Sequence, residues 1–257
     1  MSARNPPSTL ALVAVDAKPS ERALRCLAIV PAFNERDAIG GVIADLHASA
    51  DVDVLVVDDG SGDGTAAAAV AAGARVVTLP FNLGIGAAVQ TGYVMAQDGD
   101  YDIAIQVDGD GQHPATEIAV LIEALAASGA DVVIGSRFLG AGEFRSTRAR
   151  RAGIGVFAKV VSAAVGVPLT DTTSGFRAAG RRAIALYAAA YPHDYPEVEA
   201  LVIGHRAGLR FAEAPVAMRE RQGGTTSITP IRSAYYMVKV LLAIAMQLLR
   251  RPVRLPE

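Results

Sequence analysis

Asp108 and Asp110 stand two residues apart, separated only by Gly109, directly after the apolar run 101–107. Two hard carboxylate ligands at that spacing on an extended segment suit Mg2+ or Mn2+ bridging a diphosphate. The glycine between them lets the backbone bend so that their oxygens converge. In Gln106-Val107-Asp108-Gly109-Asp110-Gly111-Gln112-His113-Pro114, Gln112 and His113 are placed to complete the coordination shell. The alternative is a solvated acidic turn. An EF-hand calcium loop does not fit, because the distal glutamate falls at the wrong position and the flanks do not read as a helix pair.

A second acidic cluster, Val57-Asp58-Asp59-Gly60-Ser61-Gly62-Asp63-Gly64-Thr65, closes another apolar run. Alternating glycines there give a tight turn with exposed backbone N–H groups at a helix start. A carboxylate in such a turn can hold a base or a ribose; equally, Asp63 or Thr65 can cap the helix that follows. Asn82-Leu83-Gly84-Ile85-Gly86-Ala87-Ala88 has the glycine spacing that opens a dinucleotide fingerprint. It follows the third strand rather than the first, and no clean ribose-binding acid stands about 20 residues on, which argues against a dehydrogenase.

These clusters need a scaffold, and the hydrophobic pattern supplies one. Apolar runs at 24–30, 52–57, 74–79, 101–107 and 130–134 read as strands, and 38–48, 65–72, 85–97 and 115–127 as helices. Strands alternating with helices imply right-handed βαβ units, hence an α/β fold with a mainly parallel central sheet flanked by helices. Ligands of such sheets bind outside the carboxyl ends of the strands. The polar residues Pro31-Ala32-Phe33-Asn34-Glu35, Asp58-Asp59-Gly60-Ser61, Asn82 and Asp108-Gly109-Asp110 all fall there. Three parts are expected: a flexible leader at 1–22, a catalytic domain at 23–229, and an amphipathic helix with a tail at 230–257.

Charge is divided along the chain. Residues 1–136 carry 6 Lys/Arg against 18 Asp/Glu, whereas 137–257 carry 18 against 8. The acidic half suits a cation and the basic half a phosphate or an anionic membrane, unless the two faces merely balance each other. The single cysteine, Cys26, allows no intrachain disulfide and fits a reducing compartment. Without a signal-peptide pattern or a long apolar span, the expected location is cytoplasmic, or peripheral on the inner face of the membrane.

Six motifs in order resemble the family 2 glycosyltransferases, in particular their dolichol-phosphate mannose synthase-like branch. They are Pro31-Ala32-Phe33-Asn34-Glu35, Val57-Asp58-Asp59-Gly60-Ser61-x-Asp63-Gly64-Thr65, Asn82-x-Gly84-x-Gly86, Asp108 to Pro114, Gly135-Ser136-Arg137 and Ser174-Gly175-Phe176-Arg177. The branch usually has Tyr where this chain has Phe33. The resemblance implies a GT-A (nucleotide-diphospho-sugar transferase) fold and inverting, metal-dependent transfer of a sugar from a nucleoside-diphosphate sugar to a polyprenyl phosphate. It implies that Pro31, Phe33, Glu35 and Asp59 line the nucleotide pocket together with Asp108. Asp108, Asp110 and Gln112 would hold the Mg2+ or Mn2+. Arg137 would approach a phosphate, with Asp171 near the reacting centre unless it only caps its own loop. Arg219, Arg221 and Ser227, around the hinge glycines Gly223 and Gly224, would close over the acceptor phosphate unless both arginines are simply solvated.

Two other readings stay open. A hydroxyl acceptor would need a base, for which Asp171 and Glu199 are the candidates. A non-catalytic nucleotide-sugar-binding scaffold could share the fold. In 231–251, Arg232, Lys239 and Gln247 recur every seven or eight residues and form a narrow polar stripe. The uncharged stretch between Lys239 and Arg250 falls short of the roughly 20 residues that span a bilayer. The helix would lie on a membrane surface, with the basic segment 145–151 meeting headgroups, or pack on the catalytic domain or a second subunit in a homo-oligomer. No nucleic-acid partner is expected.

Overall fold

The computed structural model describes residues 23–139, 148–219 and 230–250. The expected leader, Arg221, Ser227, the two hinge glycines and the tail from 251 lie outside the described residues, as do the side chains of the basic segment 145–151 and of Arg232.

The elements follow in the order β1 (Cys26–Ala32), α1 (Arg36–Ser49), β2 (Asp53–Asp58), α2 (Thr65–Ala71), β3 (Arg75–Thr78), α3 (Ile85–Asp98) and β4 (Ile103–Gln106). A 3-10 turn (Ala115–Glu117) then leads into α4 (Ile118–Ser128) and β5 (Val132–Ser136). The second half contributes α5 (Arg148–Val165), β6 (Arg177–Gly180), α6 (Arg181–Ala189), α7 (Pro196–Arg206), β7 (Phe211–Pro215) and α8 (Pro230–Leu249). The sheet runs in the order β3-β2-β1-β4-β6-β5-β7. It is parallel except for β6, which is antiparallel to both β4 and β5.

β1 is buried over its whole length because helices cover both faces of the sheet. α1 buries Ile39, Val42, Ile43 and Leu46, the 3–4 spacing of one helical face. One core lies beneath α1, α2 and α4; the other packs α3, α6 and α7 around the mutually touching rings of Tyr93, Tyr187 and Tyr191.

Pro31 was expected to end the first strand, and it lies inside it instead. Ile29 accepts from the N–H of Val107 and so faces β4; Pro31, two residues on, faces the same side. Pairing with β4 stops at Ile29–Gln106, so the missing N–H of Pro31 has no strand partner to disappoint. β1 also sits between β2 and β4, where the chain reverses its direction of travel across the sheet. That is the switch point at which ligands of open α/β sheets bind.

α8 lies against α7. Val240 and Ile244 are buried, Gln247 Nε2 donates to Glu199 Oε2 at 2.8 Å, and Arg206 donates to the carbonyls of Leu248 and Arg250. Lys239 is exposed, as the polar stripe requires. No helix among the described residues is long and apolar enough to cross a membrane.

Candidate active site

Three loops at the carboxyl ends of β1, β2 and β3 are tied into one unit by side chains that accept backbone N–H groups. Ser61 Oγ accepts from Asn34 N at 2.9 Å, and Asn34 Oδ1 accepts from Gly62 N at 3.1 Å. Thr65 Oγ1 accepts from Glu35 N, and Asp63 Oδ2 from Arg36 N. Asn34 takes the left-handed conformation at φ 53°, which asparagine tolerates better than most residues. Asp63 Oδ1 takes both the N–H and the hydroxyl of Thr65, and the hydroxyl bond holds the Asp63 carboxyl below its usual range. Asp63 thus closes a local turn on Thr65, whereas the N-cap position of α2 is Gly64 and the helix has no side-chain cap.

Asp59, expected beside the base, is buried and uses Oδ1 on Leu83 N and Oδ2 on Gly84 N, at 2.8 and 2.9 Å. It anchors the Asn82–Gly86 loop to β2. Among the other nucleotide-pocket expectations, Pro31 is buried in the strand and Glu35 is half-buried at the start of α1. Phe33 alone offers an open face, with 44% of its surface exposed.

The Asp108–Asp110 loop sits at the switch point. An ideal Cβ on Gly109 would lie 3.1 Å from the Pro31 carbonyl, so glycine there permits the close approach of the β1 and β4 ends. His113 Nδ1 accepts from Asp108 N at 3.0 Å, and its ring stacks on Phe176 at 4.7 Å. With Nδ1 as acceptor, the ring proton is on Nε2, 3.6 Å from Asp108 Oδ2. His113 is thus a brace for Asp108. Asp110 Oδ1 accepts from Gln112 N, which fixes the turn.

Asp108 Oδ1 is buried and accepts no hydrogen bond, the only such side-chain atom among the described residues. A buried carboxylate oxygen without a donor is costly, and a bound cation relieves that cost. No cluster of three or more His, Cys, Asp or Glu able to hold a metal occurs among the described residues. Two carboxylates with the remaining positions left to phosphate or water is the donor set that Mg2+ and Mn2+ use on nucleotides.

Arg137 meets Asp171 in a two-pronged ion pair, and its Nη2 also reaches Thr173 Oγ1. Burial would lower the pKa of this guanidinium, but the charges of Asp171 and Asp108 more than offset it, so the cation is kept. Asp171 is fully buried, and its own N–H is held by Glu213 on β7, which also clamps Thr170. Glu213 is a structural participant whose role nothing in its local spacing betrayed.

The Ser174–Arg177 motif builds the floor of the site. Gly175 leaves room for the Asp108 carboxylate, 3.2 Å from where its Cβ would be. The buried Arg177 holds the carbonyls of Thr172 and Ser174. Arg219 donates its backbone N–H to the Gln112 carbonyl, while its guanidinium pairs with Asp45 at 3.0 Å.

Glu199 faces away, bonded to Gln247. The carboxyl that does feel Asp108 is Glu197, in the first turn of α7. Burial raises its pKa, a hydrogen bond from its own backbone and the charge of Arg177 oppose the rise, and Asp108 adds a smaller push upward. Sequence reasoning passed over Glu197; the Pro196 that opens its helix was the available signal.

The site thus belongs to a mainly parallel α/β sheet with an acidic pair at its switch point, and comparison with known proteins gives the chain a family. The profile of glycosyl transferase family 2 matches residues 27–186. The chain is 32% identical over 227 residues to polyprenol monophosphomannose synthase of Mycolicibacterium smegmatis, covering 83% of this chain and 85% of that one. It is 31% identical over 219 residues to undecaprenyl-phosphate mannosyltransferase of Micrococcus luteus, covering 80% and 88%. In structure it is similar to glucosyl-3-phosphoglycerate synthase of Mycobacterium tuberculosis, solved with Mn2+, UDP and glucosyl-3-phosphoglycerate. The TM-score is 0.64 at 21% identity over 87% of this chain and 79% of that one, a likeness of the GT-A fold. The chain belongs to glycosyl transferase family 2 and is a glycosyltransferase.

Proposed function

We propose that the protein transfers a hexose, with inversion, from a nucleoside-diphosphate sugar to a polyprenyl phosphate at a membrane surface. The observation that carries the reading is the buried, unpartnered Oδ1 of Asp108 beside Asp110, on a chain whose relatives are named for polyprenyl-phosphate acceptors. A divalent cation, Mg2+ or Mn2+, held by Asp108 and Asp110 would neutralise charge gathering on the leaving diphosphate.

The residues divide the remaining work. His113 and Gly175 hold Asp108 in place, and Asp59 sets the Asn82–Gly86 loop. Asp171 orients Arg137, whose retained charge attracts a phosphate of donor or acceptor. Asp171 has each carboxylate oxygen engaged by a guanidinium N–H, so both oxygens are already committed to Arg137. An anionic phosphate acceptor does not require a base. The roles first expected for Arg219, Arg221 and Ser227, closure over the acceptor phosphate, belong to this proposal as well, with Arg219 leaving Asp45 when the loop closes.

Glu197 favours a second reading. A carboxyl of raised pKa near Asp108 could deprotonate a hydroxyl acceptor on a glycan, lipid or small molecule. Incubating the protein with GDP-, UDP- and dTDP-sugars, Mn2+ and either polyprenyl phosphate or hydroxyl acceptors separates the two. Label passing into the organic phase, and lost with EDTA, is expected. Untouched polyprenyl phosphate beside a turned-over hydroxyl acceptor would overturn the proposal. Nucleotide-sugar binding with no transfer to any acceptor would favour the scaffold.

A further inference from the structure

Beyond the strand-end site the molecule has a second concavity. A cleft of about 410 Å3 lies between the 190–194 loop, α7 and the last turns of α8. That volume falls within the roughly 300–1,000 Å3 of small-molecule sites. Two of its charged groups are committed to the protein. Glu199 is held by Gln247, and both terminal nitrogens of Arg206 are held by the carbonyls that end α8. What these bonds leave for an occupant is an apolar part, chiefly Tyr191, Pro192, Ile203, Ala243 and Met246, with His193, Asp194 and Arg250 also in the lining.

Position links this cleft to the strand-end site. The 190–194 loop that walls it presses on Gly86 of the Asn82–Gly86 loop: a Cβ on Gly86 would lie 2.3 Å from the Pro192 carbonyl. On α7, Glu197 feels Asp108 while Glu199, two residues on, lines the cleft. On the far side, Leu242, Met246 and Leu249 form an exposed apolar stripe at the 4-then-3 spacing of one helix face, with Leu249 88% exposed. The cleft therefore adjoins the Asn82–Gly86 loop on one side and an exposed apolar stripe on the other.

We infer that this cleft is the subsite for the polyprenyl tail of the acceptor, receiving the isoprene units next to the phosphate, with the Leu242–Met246–Leu249 stripe carrying the chain outward. The inference rests on the polyprenyl-phosphate reading above. Its chemistry is apolar burial: each isoprene unit withdrawn from water strengthens binding, so affinity should climb with tail length until the cleft is filled.

The test measures KM for polyprenyl phosphates of two, three and four isoprene units in detergent, with the wild type, Ala243→Trp and Met246→Glu. Ala243→Trp fills the cleft. Met246→Glu puts a charge at its mouth on an exposed position, and so keeps the test valid if the first variant folds poorly. Nucleoside-diphosphate binding, read by thermal shift, reports that each variant is folded. The expected result is a wild-type KM that falls at least tenfold from two to four units, with that dependence flattened to within threefold in either variant. Wild-type transfer whose chain-length dependence survives both substitutions would overturn the inference and leave the acceptor class standing. A wild type that glycosylates no polyprenyl phosphate would overturn both.

Discussion

Arg137 grips Asp171 through two parallel bonds, Nε to Oδ2 at 2.6 Å and Nη2 to Oδ1 at 2.7 Å, with the carboxylate wholly buried and the guanidinium side chain 24% exposed. The pair joins the end of β5 to the loop before β6, so the antiparallel strand and a charged group of the site share one fastening. Asp171→Ala leaves the buried guanidinium without its counter-ion. Breaking a fully buried pair costs about 3–5 kcal/mol, and the partial exposure of Arg137 places this one near the lower end. At roughly 2–4 °C per kcal/mol, thermal denaturation should show a Tm about 6–12 °C lower. A shift under 2 °C would mean that the pair is ornamental.

Glu197 should leave a pH signature. A carboxyl whose pKa is raised on folding holds its proton more tightly folded than unfolded. The folded state is therefore penalised as pH climbs from the ordinary glutamate value through the raised one, and the penalty then levels off. In metal-free buffer, Glu197→Gln should match the wild-type Tm near pH 4 and exceed it increasingly toward neutrality. Equal Tm values across that range contradict the placement of Glu197.

The same variant separates the acceptor classes. If the acceptor is a phosphate, Glu197→Gln keeps kcat within about tenfold of the wild type. If Glu197 serves as a general base toward a hydroxyl, the loss is on the order of 10^2–10^4. Rate measurements at saturating donor decide it.

Gly86 has no room for a side chain, because a Cβ there would lie 2.3 and 2.7 Å from the backbone of Pro192 and His193. Gly86→Ala should therefore destabilise by about 1–3 kcal/mol despite alanine's helix preference. A stabilised variant would show that the 190–194 loop does not press on α3.

The first half of the fold was legible because its strands are built on short apolar runs, helical stretches separate them, and the strand ends carry polar residues. The second half was less so. β6 is four residues, Arg177–Gly180, with an arginine and a glycine at its ends, and its place between β4 and β5 is a tertiary choice that no local pattern encodes. In the candidate site, the place of Asp108 and Asp110 just beyond β4 was readable from the sequence. That Asp59 would be spent on two backbone N–H groups and His113 on one was not, because a side chain's partner depends on which loops the fold brings together. Glu199 was preferred to Glu197 for the same reason: two residues along a helix turn a side chain by about 200°, and only packing against α8 shows that Glu199 is taken by Gln247.

The central claim is that Asp108 and Asp110 hold a divalent cation together with a nucleoside diphosphate. The most direct measurement is the Mn2+ electron paramagnetic resonance spectrum of the protein titrated with GDP, UDP and dTDP, compared with Asp108→Asn and Asp110→Asn. The account predicts that at least one nucleotide depletes the free Mn2+ signal with the wild type beyond what that nucleotide does alone, and that both substitutions abolish the extra depletion. Undiminished Mn2+ and nucleotide binding by the two variants would contradict it.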